Sequence, residues 1–222
     1  MRPRRVTYSQ DIRGLIHVGS RQLFPINWLQ KQDYCEYQIY LENVKGLQVK
    51  PTAAMTVGSQ GHDQLYNQFA ISATPATAEE MLTESKVGAI YSREFQVLDL
   101  EHGIYGLIDE IWITPEGFIV IDDKPGTKAY SSNIHQVYGY CLAYRGMISR
   151  IDNRRIIGAL RERGTSNIYW QSPFDEEAVE EIRPMVKRIH NLLQGIEEFS
   201  STDNQNKCQA CRFNTQCDRR LL

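Results

Sequence analysis

Four of the five cysteines stand near the two ends of the chain: Cys35 alone close to the start, and Cys208, Cys211 and Cys217 as a C-x2-C-x5-C run at the finish. If one metal centre takes all four, the start and the finish of the fold must return to the same place and everything between them must close as a loop. At these spacings the cysteines suit metal binding in a reducing compartment better than a disulfide framework. Four thiolates in a tetrahedron accommodate Zn2+ as readily as a 4Fe-4S cluster, so thiolate chemistry alone leaves the metal open. Cys141 is the odd one out. It lies in the apolar helical stretch Val137 to Tyr144 and reads as a buried, inert thiol.

With 222 residues the chain can bury one sizeable core, and a single domain spanning 1–222 is expected. It is 41% hydrophobic and 23% charged, and no apolar run is long enough to span a bilayer, so a soluble, non-membrane protein is expected. Met1 to Arg5 is basic, but the residues after it are not the apolar core of a secretory signal, which makes the cytoplasm the expected compartment. A net charge of -2 argues against a strongly basic nucleic-acid protein and leaves room for a local groove. Basic residues gather at Arg154, Arg155, Arg161 and Arg163, and again at Lys207, Arg212, Arg219 and Arg220, although such gatherings are commonly solvated faces.

Aromatic and apolar residues recur at helical spacings from Ile26 to Leu41, which puts Cys35 at or near a helix. Pro51-Thr52 opens a second helical segment, with Met55, His62, Leu65 and Phe69 toward the protein and Gly58 and Gly61 weakening it. Thr77-Ala-Glu-Glu80 fits a capping box before a short helix. Tyr91 to Asp99, Ile104 to Ile113 and Phe118 to Asp122, joined by turns at Glu101-His-Gly103 and Pro115-Glu-Gly117, predict an antiparallel meander. A helix follows from Asn133 to Tyr144, then strands at 155–160 and 167–171. Asp175 can cap a final helix with Val179, Ile182, Val186, Ile189, Leu193 and Ile196 on one face, which Pro184 should kink or divide. Ser200 to Asn206 is a polar linker into the cysteine tail.

The chemistry centres on the meander. Ile119 to Ile121 is an apolar run that ends in Asp122-Asp123-Lys124, and the two-residue period of a strand places Asp122 and Lys124 on one side. With Asp109 on the neighbouring strand, they form a dicarboxylate pocket for a hard divalent cation with an ammonium beside it. A D-x-K triplet alone is common by chance, His62 alone reads as a surface or hydrogen-bonded histidine, and Gln136 with Tyr140 one helical turn on reads as packing.

Taken together, these motifs resemble those of a known family. Gly106-x-Ile-Asp109, Val120-Ile-Asp122-x-Lys124, Gln136-x3-Tyr140 and the upstream His62 are similar to the motifs of the RecB-type branch of the PD-(D/E)-x-K nucleases. The framing cysteines resemble those of the iron-sulfur members of that branch, among which the CRISPR-associated Cas-four exonucleases are the nearest in pattern. The resemblance runs from Cys35 to Cys217. It implies an α/β fold with a mixed central β-sheet flanked by helices, and a small iron-sulfur lobe joining Cys35 to the 200–222 tail. It further implies a 4Fe-4S cluster on Cys35, Cys208, Cys211 and Cys217. Mn2+ or Mg2+ would sit on His62, Asp109, Asp122 and the Asp123 carbonyl, with Mn2+ at least as good because imidazole is a softer ligand. Lys124 would serve the attacking water, and Gln136 and Tyr140 would hold the substrate or buttress the pocket.

The implied activity is that of a metal-dependent deoxyribonuclease, an exonuclease or end-trimming enzyme acting chiefly on single-stranded ends or overhangs during CRISPR spacer acquisition. The CRISPR integrase complex and a second copy of the chain are the partners left open. A phage or repair RecB-like nuclease of the same chemistry and a non-cleaving iron-sulfur DNA adaptor are the alternatives. Two departures from the family stand out. Glu36 follows Cys35 where a proline and an arginine are usual, and Asp123 occupies the middle of D-x-K where an aromatic or apolar residue is usual.

Overall fold

The computed structural model describes residues 5–51 and 53–221, without the side chains of 53–55, 57 and 58, so Thr52, Met55 and Gly58 of the sequence reading lie outside it. Three short strands, β1 (Val6–Tyr8), β2 (Ile16–Val18) and β3 (Arg21–Pro25), lead into α1 (Asn27–Cys35), a one-turn α2 (Tyr37–Ile39) and a π-helical turn at Tyr40–Val44. Helices α3 (Ala53–Ser72) and α4 (Ala78–Glu84) precede the meander β4 (Ile90–Asp99), β5 (Ile104–Thr114) and β6 (Gly117–Lys124). Then come α5 (Ser131–Ile148), β7 (Arg155–Glu162), β8 (Ile168–Pro173), α6 (Glu176–Leu193) and α7 (Gln205–Gln209). No described helix is long and apolar enough to cross a membrane.

Local signals act where the sequence places them. The Thr77 hydroxyl accepts from the Glu80 amide while the Glu80 carboxylate accepts from the Thr77 amide at 2.7 Å, closing the capping box that starts α4. Asp175 caps α6 through its bond from the Ala178 amide at 3.1 Å. The strands β1 to β3 carried no periodic signal, because three to five residues are too few to show one.

The eight strands form one mixed sheet in the order β1-β2-β3-β5-β6-β7-β8, with β4 also paired to β5. One edge of β5 is occupied by β4 from Ile104 to Ile113. Its other edge is shared: β3 runs parallel to it at Ile104 and Tyr105, and β6 runs antiparallel from Glu110 to Thr114. Between these two contacts the sheet forks at 106–109. Beyond the pair Glu110–Ile121, strand β6 leaves β5 and its last residues, Asp122 to Lys124, pair only with β7. The fork therefore opens beside the last residues of β6.

Because β6 and β7 are parallel, the chain must cross from one end of the sheet to the other between them, and α5 is that crossing. It packs through Val137, Cys141 and Tyr144, all buried, and Cys141 is fully enclosed beside Gly158 as an inert thiol whose titration burial pushes far up. Gly139 lets α1 approach: a Cβ there would meet Leu29 Cδ1 at 2.4 Å and Ile26 Cγ2 at 2.9 Å.

Helix α6 differs from expectation in two ways. It is continuous through Pro184, since Pro184 and Glu180 lie on its exposed side, where water can take the carbonyl that proline leaves unpaired, while Val179, Ile182, Val186 and Ile189 are buried on both sides of it. It also ends at Leu193, with Leu192 rather than Ile196 completing the buried stripe; Ile196 follows Gly195 and is 66% exposed.

Candidate active site and cysteine cavity

The fork brings together the residues singled out on β5 and β6. Asp109 is buried at the open edge of β5, and its Oδ2 accepts from the Asp123 amide of β6 at 2.7 Å, a bond that ties the two arms of the fork. Asp122 is 2% exposed. Lys124 Nζ lies 2.7 Å from Asp122 Oδ2 and donates to Gln136 Oε1 at 3.0 Å, and Gln136 Nε2 donates in turn to Tyr140 Oη at 3.2 Å. Gln136 and Tyr140 are buried one helical turn apart on α5, so their contacts are those of a buttress that aims the lysine.

His62 comes in from α3, with Nδ1 at 3.6 Å from Asp109 Oδ1. Gly61, Leu65 and Phe69 share its half-buried side of α3, and the Phe69 ring meets Tyr91 of β4 at 5.6 Å. Sequence reasoning missed Glu94. Ligand atoms of His62, Glu94 and Asp109 all lie within 4.8 Å of one another. Counting back through the turn from the pair Asp99–Ile104 puts Glu94 opposite Asp109, a signal the hairpin register carries. What no register shows is the backbone there: Glu94 has φ +51°, and the ladder pairs Arg93 and Phe95 but skips it. A non-glycine residue in that region is uncommon, and here it sits at the candidate site.

The electrostatics fit a cation. Burial first, and then the charge of Asp122, push the Asp109 carboxyl well above the usual carboxylate range. Burial also raises Glu94, with Asp63 adding to it against the opposing charge of Arg93. Burial and then the Arg163 guanidinium lower His62, which favours a neutral imidazole. Asp122 Oδ2 is buried with the Lys124 ammonium as its neighbour, and His62 Nδ1 is buried facing Asp109. Crowded carboxylates and a neutral imidazole are a donor set that could hold Mg2+ or Mn2+.

Asp123 faces the other way. Its carboxylate, fully buried, accepts from Arg93 Nη2 at 2.7 Å and from Arg161 Nε at 2.8 Å, while Glu110 takes Arg161 Nη1 at 2.7 Å and pairs with Arg93. Two guanidinium groups and two carboxylates from four adjacent strands thus neutralise one another beneath the site. The extra charge of Asp123 is consumed there, and neither recruits a cation nor repels a phosphate. Arg154 is likewise held, by Asp152, Ser85 and the Thr114 carbonyl, which leaves Arg155 as the exposed member of the basic gathering at 154–163. The Asp123 carbonyl, expected to face a cation, instead accepts from Arg163 Nη2 at 3.0 Å.

At the other end, Cys35 closes α1, Cys208 lies on α7, and Cys211 and Cys217 follow in turns; all four line one cavity with Tyr34, Gln38 and Lys207. Glu36 explains its own departure from the family pattern. Its buried carboxylate accepts from Arg188 Nη2 at 2.6 Å and from the Ser200 amide at 2.5 Å, which pins the start of the linker beside Cys35. Arg219, bonded to the Phe199 carbonyl at 2.6 Å, and Lys207, bonded to the Asp33 carbonyl at 3.0 Å, hold the tail. Backbone amides of Thr202, Phe213 and Leu221 donate to the sulfurs of Cys35, Cys211 and Cys208 at 3.4, 3.4 and 3.1 Å. Amide donors favour thiolate, whereas burial pushes the Cys211 and Cys217 thiols up.

No family model matches the chain, and no curated protein matches it. Among solved structures it is similar to one from Eubacterium rectale described as a candidate exonuclease, at 14% identity over 90% of this chain and 89% of that one, with a TM-score of 0.49. It is also similar to the crystal structure of SSO0001, at 13% identity over 93% of this chain and 91% of that one, with a TM-score of 0.42. At these values neither likeness bears on the chemistry of the fork.

Proposed function

We propose that the chain is a metal-dependent deoxyribonuclease that trims single-stranded DNA ends at the fork and carries a 4Fe-4S cluster in the cysteine cavity. The observation that carries this reading is the convergence of His62, Glu94 and Asp109, with Asp122 near enough for its charge to raise the Asp109 carboxyl and Lys124 braced beside it. A divalent cation held there supplies charge neutralisation at the scissile phosphate and acidity for the attacking water. Lys124, aimed by Gln136, positions that water. Exposed Tyr66 and Leu107 line the cavity with His62 and Asp109, which supports stacking of an unpaired base at the cut. The framing cysteines support a place for this activity in CRISPR spacer capture, beside an integrase.

The assay is cleavage of single-stranded, flap and overhang DNA by cluster-bearing protein without ATP. Products are expected with Mn2+ or Mg2+, and a chelator should stop the reaction while the brown colour persists. Salt-dependent binding with no products from either ion would replace the nuclease with a DNA-binding adaptor.

Iron is proposed over zinc on the resemblance of the framing cysteines to those of iron-sulfur nucleases, since four thiolates by themselves suit either metal. Protein prepared without air should hold iron and acid-labile sulfide in near-equal amounts, and Cys35→Ser or Cys208→Ser should bleach it and lower its melting temperature. Stoichiometric zinc without sulfide would sink the cluster.

A further inference from the structure

Lys124 is aimed by Gln136, and what holds Gln136 in place lies on another helix. Gln136 belongs to the second turn of α5, whose first turn is fastened to α1. Gln30 Nε2 donates to Oδ1 of the buried Asn133 at 2.7 Å, and Asn133 stands three residues before Gln136, on the same side of α5. One turn further along α1, Asp33 Oδ2 accepts from Ser131 Oγ at 2.6 Å and lies 3.6 Å from His135 Nδ1, while His135 Nε2 meets Glu181 of α6 at 2.8 Å. The same turn of α1 faces the cysteine tail. The Asp33 carbonyl accepts from Lys207 Nζ at 3.0 Å, Tyr34 Oη donates to the Lys207 carbonyl at 2.7 Å, and the Lys207 ammonium stands 5.5 Å from the centre of the Tyr34 ring.

Further along, the two helices meet through Ile26 and Leu29 at Gly139, an apolar contact. Apolar surfaces tolerate small slides and rotations, whereas a buried amide pair is satisfied in one register, since a shift leaves a polar group unpaired. The Gln30–Asn133 bond therefore fixes how far α5 is advanced and turned, and with it the reach of Gln136 to Lys124 Nζ. We propose that α1 is the aiming arm of Lys124, with Gln30 and Asp33 as positioning residues that hold α5 in register and Lys207 as the grip through which the docked tail steadies that arm. The arm deepens the nuclease reading above and rests on it. It makes the rate at the fork depend on a docked tail that contributes no group to the fork, a form of regulation built into the helix pair.

The test is single-turnover cleavage of single-stranded DNA by full-length, cluster-bearing protein at saturating Mn2+, with melting temperature and Mn2+ affinity measured alongside. Gln30→Ala should lower the melting temperature, because Asn133 is left buried and unpaired, and slow cleavage about 10- to 100-fold, the cost of a misplacement near 1 Å that originates outside the site. Mn2+ affinity should stay close to that of the parent. Gln30→Leu combined with Asn133→Leu decides between a structural and a positioning role: two apolar side chains leave no polar group unpaired and recover the melting temperature, but they specify no register, so cleavage should stay slow. Asp33→Ala and Lys207→Met should each slow cleavage several-fold, and Asp33→Asn should restore it, since the amide oxygen still accepts from Ser131. On a Lys124→Ala background none of these substitutions should slow the residual cleavage further, because each acts through the lysine. A leucine pair that cuts as fast as the parent, or equal slowing with and without Lys124, overturns the arm; Lys207→Met at the parent's rate overturns the part given to the tail. A parent that yields no products overturns the nuclease reading itself, and the arm with it, whatever the variants do.

Discussion

Lys124→Ala is expected to slow cleavage of single-stranded DNA by roughly 10³-fold or more while Mn2+ affinity stays within about a few-fold of the parent. Asp122→Ala should lose both. The difference follows from placement. Asp122 is a buried carboxylate beside Asp109, so its removal deletes a proposed ligand. Lys124 touches Asp122 at 2.7 Å and Gln136 at 3.0 Å, so its removal leaves the carboxylates in place and takes away only the ammonium that serves the water. Gln136→Ala should fall between, since it releases the lysine without deleting it. Rates at matched Mn2+ and ion titrations separate the three variants. If the Asp122 and Lys124 variants cut as fast as the parent, the chemistry lies elsewhere.

Arg161→Ala should cost about 3–5 kcal/mol of folding stability at pH 7, because breaking a buried ion cluster from one side leaves uncompensated charge. Glu110 and Asp123 would then share Arg93 alone. Burial, the largest single influence, raises both carboxyls, but the hydrogen bonds and charges of Arg161 and Arg93, with Trp112 at Glu110, together hold them below their ordinary values of 4.5 and 3.8. A carboxyl depressed in the folded state stabilises the fold above its unfolded pKa and loses that contribution as pH falls through the folded value. The penalty of Arg161→Ala should therefore be full at neutral pH and shrink below about pH 4. Urea unfolding at pH 7 and pH 3 reads the effect; a penalty under about 1 kcal/mol at pH 7 would mean the cluster is no more than a set of surface pairs. Because the Asp123 amide also holds Asp109, the same variant should loosen the fork.

Much of the fold could be read along the chain, since its signals are local. Alternation marked β4 to β6, and period two placed Asp122 beside Lys124. Side chains three residues apart marked both caps, and the cysteine spacing foretold that Cys35 and the tail share a cavity. The rest depends on neighbours distant in sequence. That Glu94 joins the site through an unusual backbone turn, that Asp123 is spent on Arg93 and Arg161, and that Arg163 reaches His62 across 101 positions all follow from the fork. The continuity of α6 through Pro184 likewise depends on which side of that helix faces water. Residue type and period thus marked the strands from β4 onward, the caps and the candidate site residues. Strand register and packing alone decided which charges cancel and which stay open, because a charge's role depends on what lies within a few ångströms of it.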